Sequence, residues 1–198
     1  TEAMATVCRE LGVNIRVNAG VRKIETEGRN IKALCLDNGE TVKADEYVIN
    51  GDFGHIMTTL VEPGVLKKYS PAKLEKKSLS CSTFMLYLGV NKQFDLAHHT
   101  IWFAKDYKKN VEDITKTKLL SDDPSIYIQN AIVTDPTVAP EGKSTLYVLV
   151  PVPNNTSNID WEKITPKFRQ LILKMVSEKL GIEDITPYIE IEKVISPI

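Results

Sequence analysis

The chain has 198 residues, with 25 Lys and Arg against 26 Asp and Glu, for a formal net charge of −1. That balance excludes a nucleic-acid binder held by bulk electrostatics, and 42% hydrophobic residues beside 26% charged exclude a chain disordered over most of its length. No apolar run approaches the roughly 18 residues that span a bilayer, no export signal opens the sequence, and Cys8, Cys35 and Cys81 are too few and too scattered for a disulfide framework or a Cys-rich zinc site.

Reduced thiols in the cytoplasm are therefore expected. The sequence enters a helical pattern at Thr1 and stops at Ile198 within a strand-like stretch, so it is expected to be an internal piece of a larger protein.

Met4, Val7, Cys8 and Leu11 recur at spacings of three and four, and Gly12 follows where a left-handed cap belongs, which predicts a short amphipathic helix. Strands are then expected over 13–17, 21–26, 31–36 and 41–44, the later ones separated by the turn spellings at 27–30 and 37–39, as a β-meander. Tyr47-Val48-Ile49 predicts a short buried strand ending in the turn Asn50-Gly51-Asp52, with a helix from Phe53 to Val61. Pro63, Gly64 and Pro71 punctuate the next stretch, so 1–61 is expected as one lobe, 62–78 as a connection and 79–198 as a second lobe.

In the second lobe strands are expected at 79–90, 100–103, 125–133, 145–150 and 189–195. A helix is expected to start at Thr165-Pro166, bury Phe168, Leu171, Ile172, Met175, Val176 and Leu180, and close at Gly181. The fold class is α+β, with an antiparallel or mixed sheet backed by helices. A half-buried strand alternates apolar and polar residues, yet 79–90 is apolar on both sides. One face covers the helix at 166–180. The other, carrying Thr83, Met85, Tyr87, Tyr127, Gln129 and Tyr147, must meet either an apolar ligand or another part of the same protein.

Side chains with reactive chemistry form no convincing set. His98 and His99 adjoin a strand and are expected to point to opposite faces, away from a shared metal. His55 has no visible partner, Asp122-Asp123-Pro124 spells a turn, and Glu190 and Glu192 are expected to face solvent. Asn154-Asn155-Thr156 is expected to be a loop. Lys67, Lys68, Lys73, Lys76 and Lys77 lie near Leu66, Tyr69 and Leu74; a solvated face is the stronger expectation, with peripheral membrane contact near 65–77 as the alternative. No Gly-x-Gly-x-x-Gly occurs, so the chain has no phosphate-cradling turn of its own.

Blocks of sequence carry more. Leu79 to Val90, Leu96 to Phe103, Asp123 to Tyr127, Thr134 to Gly142 and Tyr147 to Pro153 resemble, in order and spacing, the bacterial-type carotenoid desaturases, also called phytoene dehydrogenases, which are FAD-dependent amine-oxidase-like flavoproteins. Gly12 to Ile15, Val21, Asp37 to Gly39 and Asp45 to Asp52 resemble that family's return to its flavin domain, with Asn50-Gly51-Asp52 where the family usually has Asn-Ala-Asp.

The resemblance implies that 1–61 is the β-meander portion of a Rossmann-like FAD domain and 79–198 a substrate lobe. It implies FAD in the full-length parent, with Val21 meeting the adenine and Asn50, Gly51 and Asp52 nearby, and a long isoprenoid hydrocarbon as substrate over Thr83, Met85, Tyr87, Tyr127 and Tyr147. Double bonds would be introduced into that polyene by flavin chemistry, which accounts for the empty search for a triad or metal; the catalytic residues stay unassigned. The alternatives are a polyene isomerase of the same family, or a non-catalytic apolar-ligand or membrane-docking module. A cytoplasmic location, peripheral on the inner face of the membrane in the second reading of the lysines, goes with these expectations.

Overall fold

A computed structural model describes residues 1–197, which divide into two compact units, Thr1–Ser78 and the residues from Leu79 onward. In the first, α1 (Glu2–Glu10) ends as the sequence predicts: Gly12 takes φ +83°, and the N–H groups of Gly12 and Val13 return to the Arg9 and Cys8 carbonyls. This paired closure satisfies two end carbonyls that would otherwise lack partners. The helix nevertheless buries no residue. Strands β1 (Val21–Glu27), β2 (Asn30–Leu36) and β3 (Thr41–Val42) form an antiparallel meander in that order. Its core is Ile24, Ala33, Cys35 and Leu36.

Two expected strands of this unit are not formed. Residues 13–17 and 47–49 are irregular, and Val48 is 95% exposed. Strand propensity is realised only beside a neighbour that accepts the backbone hydrogen bonds, and the three-stranded sheet offers neither segment one. Asp52 caps α2 (Phe53–His55), which continues as a π turn over Ile56–Leu60, and Val61 then bridges in parallel to Ile24. A 3-10 turn at Lys67–Tyr69 and the short α3 (Pro71–Leu74) complete the unit.

The second unit is built on β4 (Ser82–Val90), β5 (His99–Trp102), β6 (Ile126–Asn130), β7 (Ser144–Val152) and β8 (Ile189–Ile195), with α4 (Tyr107–Glu112) between β5 and β6 and α5 (Trp161–Leu180) between β7 and β8. The strands lie in the order β5-β6-β7-β4-β8, antiparallel at every pairing, which resolves the antiparallel-or-mixed expectation. Strand β4 begins three residues later than expected, and residues 131–133 leave β6 in a 3-10 turn.

Alternate residues of the three central strands, among them Phe84, Leu86, Leu88, Ile128, Val148 and Val150, pack on Phe168, Ile172, Leu173 and Val176 of α5. Phe84 has no solvent exposure and lies against both Trp161 and Phe168, with centroids 6.0 and 5.0 Å away.

Helix α5 starts earlier than Thr165-Pro166. The Asp160 carboxylate accepts the Lys163 N–H at 3.2 Å, and Pro166 sits inside the helix. Pro166 removes one N–H that would have returned to Glu162, a loss that the cap and the burial of Trp161 offset. Glu192 does not face solvent as expected: Arg169 of α5 reaches over and donates to both its oxygens, while Glu190 pairs with Lys143. Asn154 lies in the expected loop but is buried, and its amide donates to the Leu79 and Ser80 carbonyls. Near α4, Asn110 accepts the Ser125 N–H, and the buried Asp113 takes bonds from Lys109 and Thr117. The Lys109 ammonium, helped by Thr117 and opposed by burial, holds the Asp113 carboxyl below its ordinary range.

Phe84→Ala is expected to cost about 3–5 kcal/mol, much of the stability of a domain of this size, measured as a lower urea midpoint at unchanged slope. Because the Asp113 carboxyl is depressed in the folded state, its contribution is present above the ordinary value of about 3.9 and fades as pH falls below it. Thermal unfolding from pH 7 to pH 3 should therefore show Asp113→Asn less stable than the native chain at neutral pH, with the gap closing in acid.

Candidate functional site

The face of the large sheet turned away from α5 collects one residue from every second position of each strand. Direct pairing sets Tyr87 opposite Tyr147, Met85 opposite Leu149 and Tyr127 opposite Leu149 on the other side; Lys193 and Ile195 of β8 flank Tyr87 and Met85. Thr83, Met85, Tyr87, Tyr127, Gln129 and Tyr147 thus share one surface, joined by Leu149, Ile101, Ile191 and Ile195, which the sequence reading did not single out. Over β4, β6 and β7 this surface carries a groove of about 410 Å³ whose walls include Tyr87, Gly89, Gln129, Tyr147, Ile191 and Lys193.

Three tyrosines brace one another across the sheet. Tyr87 and Tyr147 meet edge to face at 5.1 Å, and Tyr127 meets Tyr147 at 6.0 Å, in the geometry that places ring edges on ring faces. The Thr83 and Tyr147 hydroxyls both turn toward the Met85 sulfur, at 3.3 and 3.9 Å. Burial pushes the Tyr147 phenol above its ordinary range, and the neighbouring Tyr87 and Tyr127 push the same way.

The histidine pair departs from expectation. His98 precedes β5, so strand alternation does not govern it, and its ring lies 4.2 Å from that of His99. Thr134 and Gln129 engage the two nitrogens of His98, while the Tyr127 hydroxyl meets His99 Nδ1 at 2.7 Å. No group of three or more His, Cys, Asp or Glu able to hold a metal occurs among the described residues. The His55 ring meets the Thr59 hydroxyl of its own helical segment.

The cofactor candidates lie in the first unit. Val21 opens β1, an edge strand, and its register partner Leu36 gives its N–H to Glu40 rather than to Val21. Main-chain polar groups at that edge suit a ligand carrying a donor and an acceptor side by side, as an adenine does. Asp52 is committed to its cap, accepting the His55 N–H at 2.7 Å, and a side chain on Gly51 would crowd Ile56 at 3.0 Å. Asn50 is exposed beside them. The helical segment they open packs on β1 through its π turn, so Val21 and the 50–52 turn belong to one unit. These residues offer no pyrophosphate cradle.

The lysines at 67–77 are all exposed, whereas Leu66, Tyr69 and Leu74 are half-buried, and the Tyr69 ring stands edge-on to Phe53 at 5.0 Å. No helix among the described residues is long and apolar enough to cross a membrane.

Residues 1–191 match the family model described as flavin containing amine oxidoreductase. The chain belongs to that family. It is 49% identical over 195 residues to a 4,4'-diapophytoene desaturase (4,4'-diapolycopene-forming) from Methylomonas sp, covering 98% of this chain and 38% of that protein. It is 35% identical to a zeta-carotene-forming phytoene desaturase from Myxococcus xanthus, covering 97% of this chain and 36% of that protein. A 4,4'-diapophytoene desaturase (4,4'-diaponeurosporene-forming) from Staphylococcus aureus is 32% identical, with 99% and 40% covered. The resemblance to carotenoid desaturases read from the sequence blocks thus holds along nearly the whole chain, which spans about two fifths of these relatives' length. Among solved structures, an oxidoreductase from Methanosarcina mazei aligns with TM-score 0.66 at 16% identity over 98% of this chain and 40% of its own, a likeness of fold.

The packing of Tyr147 is open to titration. Its folded phenol ionises above the ordinary value of about 10, so stability falls as pH rises past that point. Spectrophotometric titration of phenolate should show a late component that Tyr147→Phe removes, and the variant should lose less stability in alkali.

Proposed function

We propose that the chain is the central portion of an FAD-dependent carotenoid desaturase, in which the second unit supplies the surface that holds a long isoprenoid hydrocarbon. The observation that carries this reading is the uncovered apolar face of the five-stranded sheet, with Met85, Tyr87, Tyr127 and Tyr147 on one surface, the Tyr147 hydroxyl turned to Met85 and that of Tyr127 to His99. The names of the relatives agree with it.

The substrate lacks hydrogen-bonding atoms, so area rather than directed bonds holds it, at roughly 25 cal/mol per Å² buried. The edge-to-face tyrosines give that surface a fixed relief, which orients a stiff polyene, and covering them expels water from the reacting carbons. In the first unit the main chain at Val21 holds the adenine end of FAD, with Asn50, Gly51 and Asp52 alongside, as part of a Rossmann-like domain completed by other segments of the parent. When bound, FAD supplies the two-electron acceptor. The exposed lysines at 67–77 face anionic headgroups where the parent draws hydrocarbon from the cytoplasmic side of a bilayer.

The test is made in the full-length parent. Met85→Asp or Tyr87→Asp is expected to abolish turnover while flavin content stays normal, and chromatography of the native product should show more conjugated double bonds than the substrate. Apo or insoluble variants would assign the face to plain core, and a product with unchanged conjugation would favour an isomerase. The 198-residue chain alone is expected to purify without a flavin spectrum.

A further inference from the structure

A cavity of about 850 Å³ opens where the 93–97 segment after β4 meets the 131–143 segment between β6 and β7, and it shares no lining residue with the groove over the tyrosines. Asn130, the last residue of β6, forms part of its wall and is 1% exposed. Its main-chain N–H donates to the His98 carbonyl at 2.9 Å, and its side-chain Nδ2 donates to the Leu96 carbonyl at 3.3 Å. The second bond fixes the sense of the amide and leaves Oδ1 buried with no partner among the described residues. Ser144, two residues before the Leu146 that pairs with Asn130 and so on the same face, has a buried hydroxyl without a partner as well. Buried acceptors in folded proteins are nearly always paired, so an orphan on a cavity wall marks where a donor belongs.

The rest of the wall specifies that donor. Asp95 and Glu141 stand exposed on it, and neither pairs with a cation among the described residues. Lys143, on the same wall, is committed to Glu190 at 2.5 Å, and the Lys92 ammonium lies over the Tyr188 ring at 4.7 Å. Leu96, Ile132 and Val133 add aliphatic surface. Two carboxylates without cations, a buried acceptor without a donor and aliphatic walls suit a short hydrocarbon chain that carries ammonium groups. We propose that this cavity is a second ligand site, which takes an aliphatic diamine or polyamine. One ammonium donates to Asn130 Oδ1, and Asp95 and Glu141 hold the remaining charge. Oδ1 is closed to water in the chain as it stands, so the 93–97 segment yields slightly as the ammonium reaches it. The site is independent of the polyene reading.

Isothermal titration of the chain with spermidine, putrescine and butanediol tests the site, since the diol keeps the carbon chain of putrescine and loses its charges. Both amines should bind at least about tenfold more tightly than the diol, and their affinity should fall as salt is raised. Asn130→Leu, and separately the double variant Asp95→Asn with Glu141→Gln, should each lower spermidine affinity about tenfold or more. Spermidine should also raise the melting temperature of the native chain more than that of either variant. Melting curves without ligand show whether the variants are folded; should Asn130→Leu fail to fold, the double variant, whose changes lie on exposed segments, decides alone. Binding of neither amine, equal binding of amine and diol, or full affinity kept by a folded variant overturns the site.

Discussion

One helix covers a sheet that has two apolar faces, and the organisation of the second unit follows from that shortage. Alternation along β4, β6 and β7 divides their residues between α5 and the opposite side, and a slip of one residue would exchange the sets entirely. Nine-residue pairing of β4 with β7 prevents the slip, as does Phe84 held between Trp161 and Phe168. The face that remains is rich in rings and aliphatic groups, yet Tyr87 is 40% and Ile191 73% exposed. Apolar area of that kind gains free energy from whatever apolar partner covers it.

The first unit carries the same imbalance in another form. Its helix α1 has a clear apolar stripe and buries none of it, and the segments at 13–17 and 47–49 have strand composition without strand partners. Local signals can cap a helix, as Gly12 does, but cannot supply a neighbouring backbone. In relatives two and a half times as long, further chain is available to lie beside such segments, and the proposed dinucleotide domain assigns it there.

What the sequence disclosed follows the range of the forces involved. The two-sided character of β4 and the left-handed closures at Gly12 and Gly181 are local, and they were legible. So was the shared face of Met85, Tyr87, Tyr127 and Tyr147, because period two fixes faces once strands are known. Long-range partners were not legible. Glu192 reads as solvent-facing until Arg169 arrives from α5, and nothing in the sequence pattern singles out Asp113, which is buried against Lys109 and Thr117. Pro166 drew the helix start to itself although Asp160 caps it six residues earlier. His98 escaped the alternation rule by standing one residue outside the strand, which is how its ring came to lie against His99.

A surface meant for hydrocarbon does not have to be free of polar atoms, only of unsatisfied ones. Thr83 and Tyr147 turn to the Met85 sulfur, Tyr127 to His99, and Thr134 to His98, so these hydroxyls are paired within the protein before any ligand arrives. Pairing in advance removes most of the desolvation cost that a polar lining would impose on an apolar guest. Tyrosine in place of phenylalanine at 127 and 147 then adds rigidity, since these hydroxyls tie their rings to neighbouring strands, and a rigid relief is the available means of orienting a molecule that offers no hydrogen bonds.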